Sequence, residues 1–350
     1  MFILGINISH HASIALMHDG EVVYYLEDDR YSGRKEEEWV YGDDKKCLGD
    51  IKNYTTHIDH VIFASWGKSG DCDYPDADLI DDIILDLERY GLTFNQIHYN
   101  WEHHLYHACS AFYCSGFDEA AALILDGGGV SFLDRKEGES MYYFTQGKYD
   151  VLKKVYYAWD ALEREYTNYK VNETDVMSST VSCGWIFNSL QGVLNLEPGK
   201  AMGLSSYGSS DRFPGSWFKY NEETDTWITD NQKILNTYRT CVGNSNYTPY
   251  DDEPPGIDFE VASDLAKKAQ EETREHTIRL INQLLHKTET KNIVLSGGYF
   301  LNCVNNYEYL NEFPDVNFYI DPVCHDGGIS IGAAKFLWHH VLNNNQPSTK

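Results

Sequence analysis

Glu119-Ala120-Ala121-Ala122-Leu123-Ile124-Leu125-Asp126-Gly127-Gly128-Gly129 is the stretch on which the fold turns. Its apolar run is nearly continuous, the pattern of a strand buried on both faces. It ends in a carboxylate and three glycines. That combination suits a metal or phosphate ligand beside a close approach of backbone, with a glycine-rich turn as the ordinary alternative. The device recurs at both ends of the chain. The short apolar strand Phe2–Asn7 runs into Ile8-Ser9-His10-His11-Ala12-Ser13, and the buried strand Asn292–Leu295 into Ser296-Gly297-Gly298-Tyr299-Phe300-Leu301-Asn302. The latter, a glycine turn opening a helix, offers backbone N–H groups and a positive dipole end to an anion.

Working outward, strands at Ser13–Met17 and Glu21–Leu26 flank His18-Asp19-Gly20, a strong hairpin signal. A small polar loop leading to Ser13 suits phosphate binding. Residues 58–65 read as another strand. Residues 76–90 form an acidic amphipathic helix with Leu79, Ile80, Ile83, Ile84 and Leu87 on one face. The run from Val130 to Phe144 reads as a hairpin that closes a first lobe over residues 1–150. A second lobe covers 151–345, with inserted loop regions at 150–180 and 208–256 and punctuation at Glu253-Pro254-Pro255-Gly256. It contains helices over Cys183–Leu196 and Phe259–His286 and a last strand at Asn317–Ile320; residues 346–350 form a polar tail. Two lobes of strand, hairpin and helix, with glycine turns closing on a cleft, predict an α/β fold of the actin-like ATPase (ASKHA) type. Periodicity by itself leaves a doubly wound sheet open.

The chemistry centres on Asn100-Trp101-Glu102-His103-His104-Leu105-Tyr106-His107-Ala108-Cys109-Ser110-Ala111-Phe112. Asn100 is a good N-cap, and the apolar residues after it keep helical spacing. His103 and His107 therefore stand on one face, one turn apart, where two imidazoles can chelate a divalent metal. The ordinary alternative is a pair of partly exposed helix histidines. Asp326, in His325-Asp326-Gly327-Gly328, reads as a helix N-cap or as a metal ligand. The cluster Glu27-Asp28-Asp29-Arg30-Tyr31-Ser32-Gly33-Arg34-Lys35 reads by default as a solvated loop, yet Arg30, Arg34 and Lys35 are unusual cations for so acidic a chain and could serve a phosphate or a carbamoyl oxygen.

Composition narrows the partners. The 350 residues carry 28 basic against 54 acidic side chains, a net charge of −26. That deficit argues against broad contact with duplex nucleic acid and against anionic membrane surfaces. A hydrophobic content of 42% marks a globular chain, no apolar run reaches transmembrane length, and no signal peptide opens it. The eight cysteines are scattered without a CxxC pair, as in cytoplasmic proteins with free thiols.

The ordered set Gly5-Ile6-Asn7, His10-His11-Ala12-Ser13, Glu27-Asp28-Asp29-Arg30, His103 to Phe112, Asp126-Gly127, Lys200-Ala201-Met202-Gly203-Leu204, Gly297-Gly298 with Leu301-Asn302, and Asp326-Gly327-Gly328 resembles the O-carbamoyltransferases that act on nodulation factors and antibiotics. Their transferase domain is related to the tRNA threonylcarbamoyl transferase. The resemblance implies a metal-dependent transfer of a carbamoyl group, through carbamoyl-adenylate, to a hydroxyl of a small molecule such as a sugar, nucleoside or nucleotide. It implies a mononuclear metal, Fe2+ first and Mn2+ or Zn2+ next, at His103, His107, Asp126 and Asp326. His10 would orient the carbamoyl group or the acceptor, and Arg30 and Lys35 would contact a phosphate or carbamoyl oxygen. Ser13, Gly127, Gly128, Lys200, Gly297, Gly298 and Asn302 would hold the nucleotide. ATP and carbamoyl phosphate are the implied sources.

Two departures stand out. Family members usually carry a further C-terminal domain that makes the adenylate, whereas this chain ends soon after the Asp326 motif. A separate adenylate-forming protein is therefore the expected partner, or carbamoyl phosphate is used differently. The family's basic, histidine-containing loop reads Gly33-Arg34-Lys35-Glu36-Glu37-Glu38 here. The alternatives are threonylcarbamoyl transfer to tRNA, which needs a basic face, and a non-catalytic actin-like nucleotide-binding subunit, which needs no metal set.

Overall fold

In the computed structural model, which describes residues 1–65, 77–158, 167–249 and 256–344, two β-sheets of one design face each other across a helical layer. The first sheet holds β1 (Phe2–Asn7), β2 (Ser13–His18), β3 (Glu21–Glu27), β4 (His57–Ala64) and β5 (Thr93–Tyr99), in the order β3-β2-β1-β4-β5. The β1/β2 and β2/β3 pairs are antiparallel, while β1/β4 and β4/β5 are parallel. The predicted hairpin turn has both Asp19 and Gly20 in the left-handed region, which suits the twist of a two-residue connection.

The second sheet holds β6 (Glu119–Leu125), β7 (Ser131–Phe132), β8 (Arg135–Thr145), β9 (Lys148–Tyr157), β10 (Asn168–Lys170) and β11 (Asp175–Ser178). After a separate ribbon of β12 (Phe218–Asn221) and β13 (Thr226–Thr229), it is completed by β14 (Asn292–Ser296) and β15 (Asn317–Ile320). Its central order β9-β8-β6-β14-β15 repeats the first sheet strand for strand, with two antiparallel pairs on one side and two parallel pairs on the other. This duplication is the two-lobed actin-like architecture that the recurring loops predict, and it excludes a single doubly wound sheet.

Strand β6 shows why the run at 119–125 had to be apolar throughout. Ala121, Leu123 and Leu125 enter one core with the helices Cys183–Leu194 and Phe259–Thr288. Ala120, Ala122 and Ile124 enter another with helix His103–Ser115 and the terminal helix Ile329–Phe336. The strand's period of two feeds both. A third core lies beyond the first sheet, where Leu79, Ile80, Ile83 and Leu87 of helix Ala77–Arg89 meet Leu4, Ile6 and Phe63.

In the central layer, helix His103–Ser115 packs on the second sheet and helix Ile329–Phe336 on the first. Where they cross, a Cβ on Gly332 would stand 1.8 Å from the Tyr106 carbonyl oxygen, so only glycine allows the approach. The first ten residues of the His103 helix are buried, and the helix ends at Gly116 in the left-handed conformation. Its N-cap is Glu102 rather than Asn100, whose carbonyl instead accepts from the Tyr106 hydroxyl.

Three sequence expectations are revised. The sheets divide before Glu119, not near residue 150, because β6, β8 and β9 pair within the second sheet. The region 150–180 is not wholly loop, since β9, β10 and β11 fall there, and 208–256 contains the ribbon and helix Asn231–Val242. That helix has Asp230 as N-cap, Gly243 as C-cap and Ile234, Leu235 and Tyr238 buried. Glu253-Pro254-Pro255 and the tail 346–350 lie outside the described residues.

Candidate functional site

Four side chains from three different parts of the fold converge between the sheets. His103 and His107 come from the buried helix, Asp126 from the end of β6, and Asp326 from the turn before the terminal helix. One ligand-type atom of each lies within 4.8 Å of all the others. His103 Nε2 is 3.2 Å from Asp126 Oδ2, 3.2 Å from His107 Nε2 and 3.6 Å from Asp326 Oδ1, and His107 Nε2 is 3.6 Å from the same oxygen. Both imidazoles are fully buried, and Asp126 and Asp326 nearly so, at 6% and 8% exposure.

The electrostatics fit a cation. Burial disfavours an imidazolium at His103, yet the Asp326 and Asp126 carboxylates overcome it and push its pKa up to about 10. Asp126 drops to about 2, against burial and the Asp326 charge, because of its contact with His103. Asp326, also buried, is held well below the usual carboxylate range by His103 and His107. Two buried carboxylates beside two imidazoles need positive charge among them, and two nitrogen and two oxygen donors suit a divalent ion such as Fe2+, Mn2+ or Zn2+.

The glycine turns hold the donors in place. The Gly298 N–H donates to Asp126 Oδ1 at 3.1 Å, leaving Oδ2 to face His103. Gly297 has φ +100°, and a Cβ there would stand 2.2 Å from the Leu125 carbonyl oxygen. On the other lobe, Asn7 Nδ2 lies 3.0 Å from the His10 and His11 carbonyl oxygens and 3.1 Å from that of Asp326. One amide thus ties the β1–β2 loop to the turn that carries Asp326.

The other predicted residues fall in different places. Gly127 and Gly128 adjoin Asp126, as the motif requires. Ser13 is fully buried, and its hydroxyl donates to the Gly327 carbonyl at 2.7 Å, which joins the lobes. Asn302 is buried too. Its side chain caps helix Cys303–Glu312 through the Asn305 N–H and exchanges amide hydrogen bonds with Gln270. His10 is part-exposed, 3.5 Å from Glu36. Arg30 is exposed, with Asp29 at 3.4 Å. Lys35 and Lys200, far apart in sequence, both reach one Glu197 oxygen, at 3.4 and 3.7 Å.

The structure adds residues that no sequence motif isolates. His104, between the two ligand positions, is fully buried, and its Nδ1 is 2.8 Å from the Ser140 hydroxyl. Burial lowers its pKa to about 4 despite Glu137. His11, Glu27 and His325 form a second cluster whose ligand-type atoms also lie within 4.8 Å of one another. Residues 11, 27 and 325 have no common spacing, so only the fold brings them together.

Comparison with known proteins places this geometry. The family model described as the carbamoyltransferase N-terminus matches residues 79–335. Among curated relatives, sll1178 of Synechocystis sp. is 26% identical over 98% of this chain and 58% of its own length. MJ1051 of Methanocaldococcus jannaschii is 22% identical over 95% of this chain and 56% of its own. The chain thus spans about half the length of the curated relatives it matches. Full-length HypF in a phosphate- and nucleotide-bound form superposes with a TM-score of 0.56 at 14% identity, over 96% of this chain and 55% of that one. HypF of T. kodakarensis gives 0.57 at 13% identity, over 98% of this chain and 48% of that one. These likenesses speak for the fold. The family match covers most of the chain, including all four residues of the buried His/Asp cluster, and the chain accordingly belongs to the carbamoyltransferase N-terminus family.

Proposed function

We propose that this chain transfers a carbamoyl group from a carbamoyl–phosphoryl anhydride, carbamoyl-adenylate, to a hydroxyl of a small molecule. A divalent metal would be held by His103, His107, Asp126 and Asp326. Membership of the family supports the reaction class. The observation that carries the metal is the convergence of four buried ligand-type side chains around one point. When bound, such an ion supplies Lewis-acid polarisation and neutralises negative charge.

The chain's own groups account for the remaining roles. The Gly298 N–H orients Asp126, and the Gly297-Gly298 turn, with Gly127 and Gly128 beside it, would hold the nucleotide. Lys35 and Lys200, drawn from opposite lobes toward Glu197, would exchange that carboxylate for phosphate oxygens. Burial of the cluster would limit attack by water on the donor. The adenylate would be formed from ATP and carbamoyl phosphate, by this protein or by a partner. The surplus of acidic side chains favours a small acceptor over a nucleic acid.

The test uses metal-loaded protein with ATP and carbamoyl phosphate, or with synthetic carbamoyl-adenylate, followed by mass spectrometry. Adenylate formed from the first pair means that the chain performs both steps. Turnover of supplied adenylate alone means a transferase that needs a partner. Failure to bind either sinks the proposal. Replacing both His103 and His107 by Ala should reduce bound metal to background in elemental analysis, a larger loss than the roughly 10–100-fold typical of outer-shell changes. Retained metal would refute the ligand assignment.

A further inference from the structure

Beside the metal cluster, Glu27 at the end of β3 gathers three neighbours. Its Oε1 accepts from the Tyr25 hydroxyl at 2.9 Å and lies 3.5 Å from His325 Nε2, and its Oε2 lies 3.6 Å from His11 Nδ1. The protons in this group can be assigned. The Gly327 N–H donates to His325 Nδ1 at 3.1 Å, so in the neutral ring the His325 proton sits on Nε2, toward Glu27. A ring in that state cannot also offer Nε2 to a metal, which argues for a hydrogen-bonded relay and against a second ion. With Oε1 facing Tyr25 and His325, Oε2 is left to attract a proton on His11 Nδ1 electrostatically across 3.6 Å. The lone pair of His11 is then on Nε2, at the opposite edge of the ring.

His11 is also held in an unusual backbone state, φ +57°. Non-glycine residues in this region concentrate at functional sites, where the surrounding structure enforces the conformation. Here Asn7 supplies the enforcement, because its amide reaches the His11 and Asp326 carbonyls together. The His11 backbone is thus pinned beside the turn that carries a metal ligand. The ring packs against His10, edge-on at 4.5 Å, and against His325, tilted at 4.3 Å.

We propose that His11 is the catalytic base for the acceptor, with Glu27 and His325 as positioning residues that fix its tautomer. This rests on the carbamoyl-transfer reading above. The acceptor hydroxyl gives its proton to His11 Nε2 as its oxygen bonds to the carbamoyl carbon. The bond from that carbon to the phosphoryl oxygen breaks, and the nucleoside monophosphate leaves with the electron pair. The proton then passes from His11 to solvent. No oxidant, reductant or further reactant is required.

The experiment supplies the metal-loaded full chain with synthetic carbamoyl-adenylate and glycerol, ribose or glucose, and follows carbamoylated product by mass spectrometry. His11→Asn keeps a residue that tolerates the left-handed backbone. It should slow product formation at least about 100-fold, as loss of a general base does. Metal content and calorimetric affinity for the adenylate should stay within about twofold. Glu27→Gln should cost about 10-fold, in the range of supporting-shell changes. Nitrogen-15 NMR should show His11 as the Nδ1–H tautomer in the parent chain and a shifted tautomer balance in Glu27→Gln. Full activity in His11→Asn, an Nε2–H tautomer in the parent, or loss of one metal equivalent in Glu27→Gln would each overturn the proposal. A parent chain that makes no product would instead sink the carbamoyl-transfer reading, while the tautomer measurement still decides whether the relay exists.

Discussion

A carboxylate as buried as Asp126 or Asp326 persists only beside compensating charge, and each residue of this site is held by contacts made elsewhere in the chain. Asp126 is aimed by the Gly298 N–H, and Asp326 sits on a turn tied to the first lobe by Asn7. Asn302 shows the converse, a polar residue in a glycine motif whose side chain is consumed by packing. It caps a helix and pairs with the Gln270 amide. Asn302→Ala should therefore destabilise the fold, by about 1 kcal/mol for the cap and about 1–3 kcal/mol for the Gln270 amide oxygen left without its Asn302 donor. Urea denaturation would measure this loss. A variant of unchanged stability with weakened nucleotide binding would show direct ligand contact instead.

At the scale of elements, the central layer decides how closely the lobes approach. Gly332→Ala places a methyl group against the Tyr106 carbonyl, a contact that rigid helices cannot relieve. The expected cost is about 1–3 kcal/mol, the range for overpacked cores, read as a lower denaturant midpoint. The terminal helix continues as a π-helical turn, Leu337–Val341, which carries His339 stacked on Tyr113 at 3.7 Å. Burial, with Lys335 and His340 nearby, pushes the His339 pKa down to about 3. The unfolded chain binds this proton near pH 6.5 and the folded chain only near pH 3. The His339 contribution is therefore complete above about pH 6.5 and is lost progressively as the pH falls toward about 3. His339→Phe, which keeps the stack, should flatten the acid side of the melting-temperature profile. An unchanged profile would show that His339 takes up its proton as readily folded as unfolded.

At the scale of the molecule, a net charge of −26 on 350 residues works against compaction through self-repulsion. Salt should therefore raise the melting temperature, by roughly 1–2 °C for each kcal/mol of repulsion screened. A melting temperature indifferent to sodium chloride would mean that the charges are already locally paired. The sequence by itself determined the apolar strand at 119–125, the Asp19-Gly20 hairpin, the His103/His107 face and the recurring loop–glycine device, because each depends on neighbours within a few residues. From these the two-lobed fold followed, while the set His103, His107, Asp126 and Asp326, which the fold brings together, was an expectation of the family resemblance. The sequence could not show that β6 to β9 join β14 in one sheet, through the β6–β14 pair, rather than the first lobe, since strand partners are chosen by long-range burial and not by local pattern. It also could not single out β5, an edge strand with weak alternation, or the helix and ribbon within 208–256. Only the tertiary structure turned Ser13 and Asn302 inward, drew Lys35 and Lys200 to one carboxylate, and set His11, Glu27 and His325 together. Those outcomes depend on how two lobes meet across a buried helical layer, a geometry that no stretch of sequence contains.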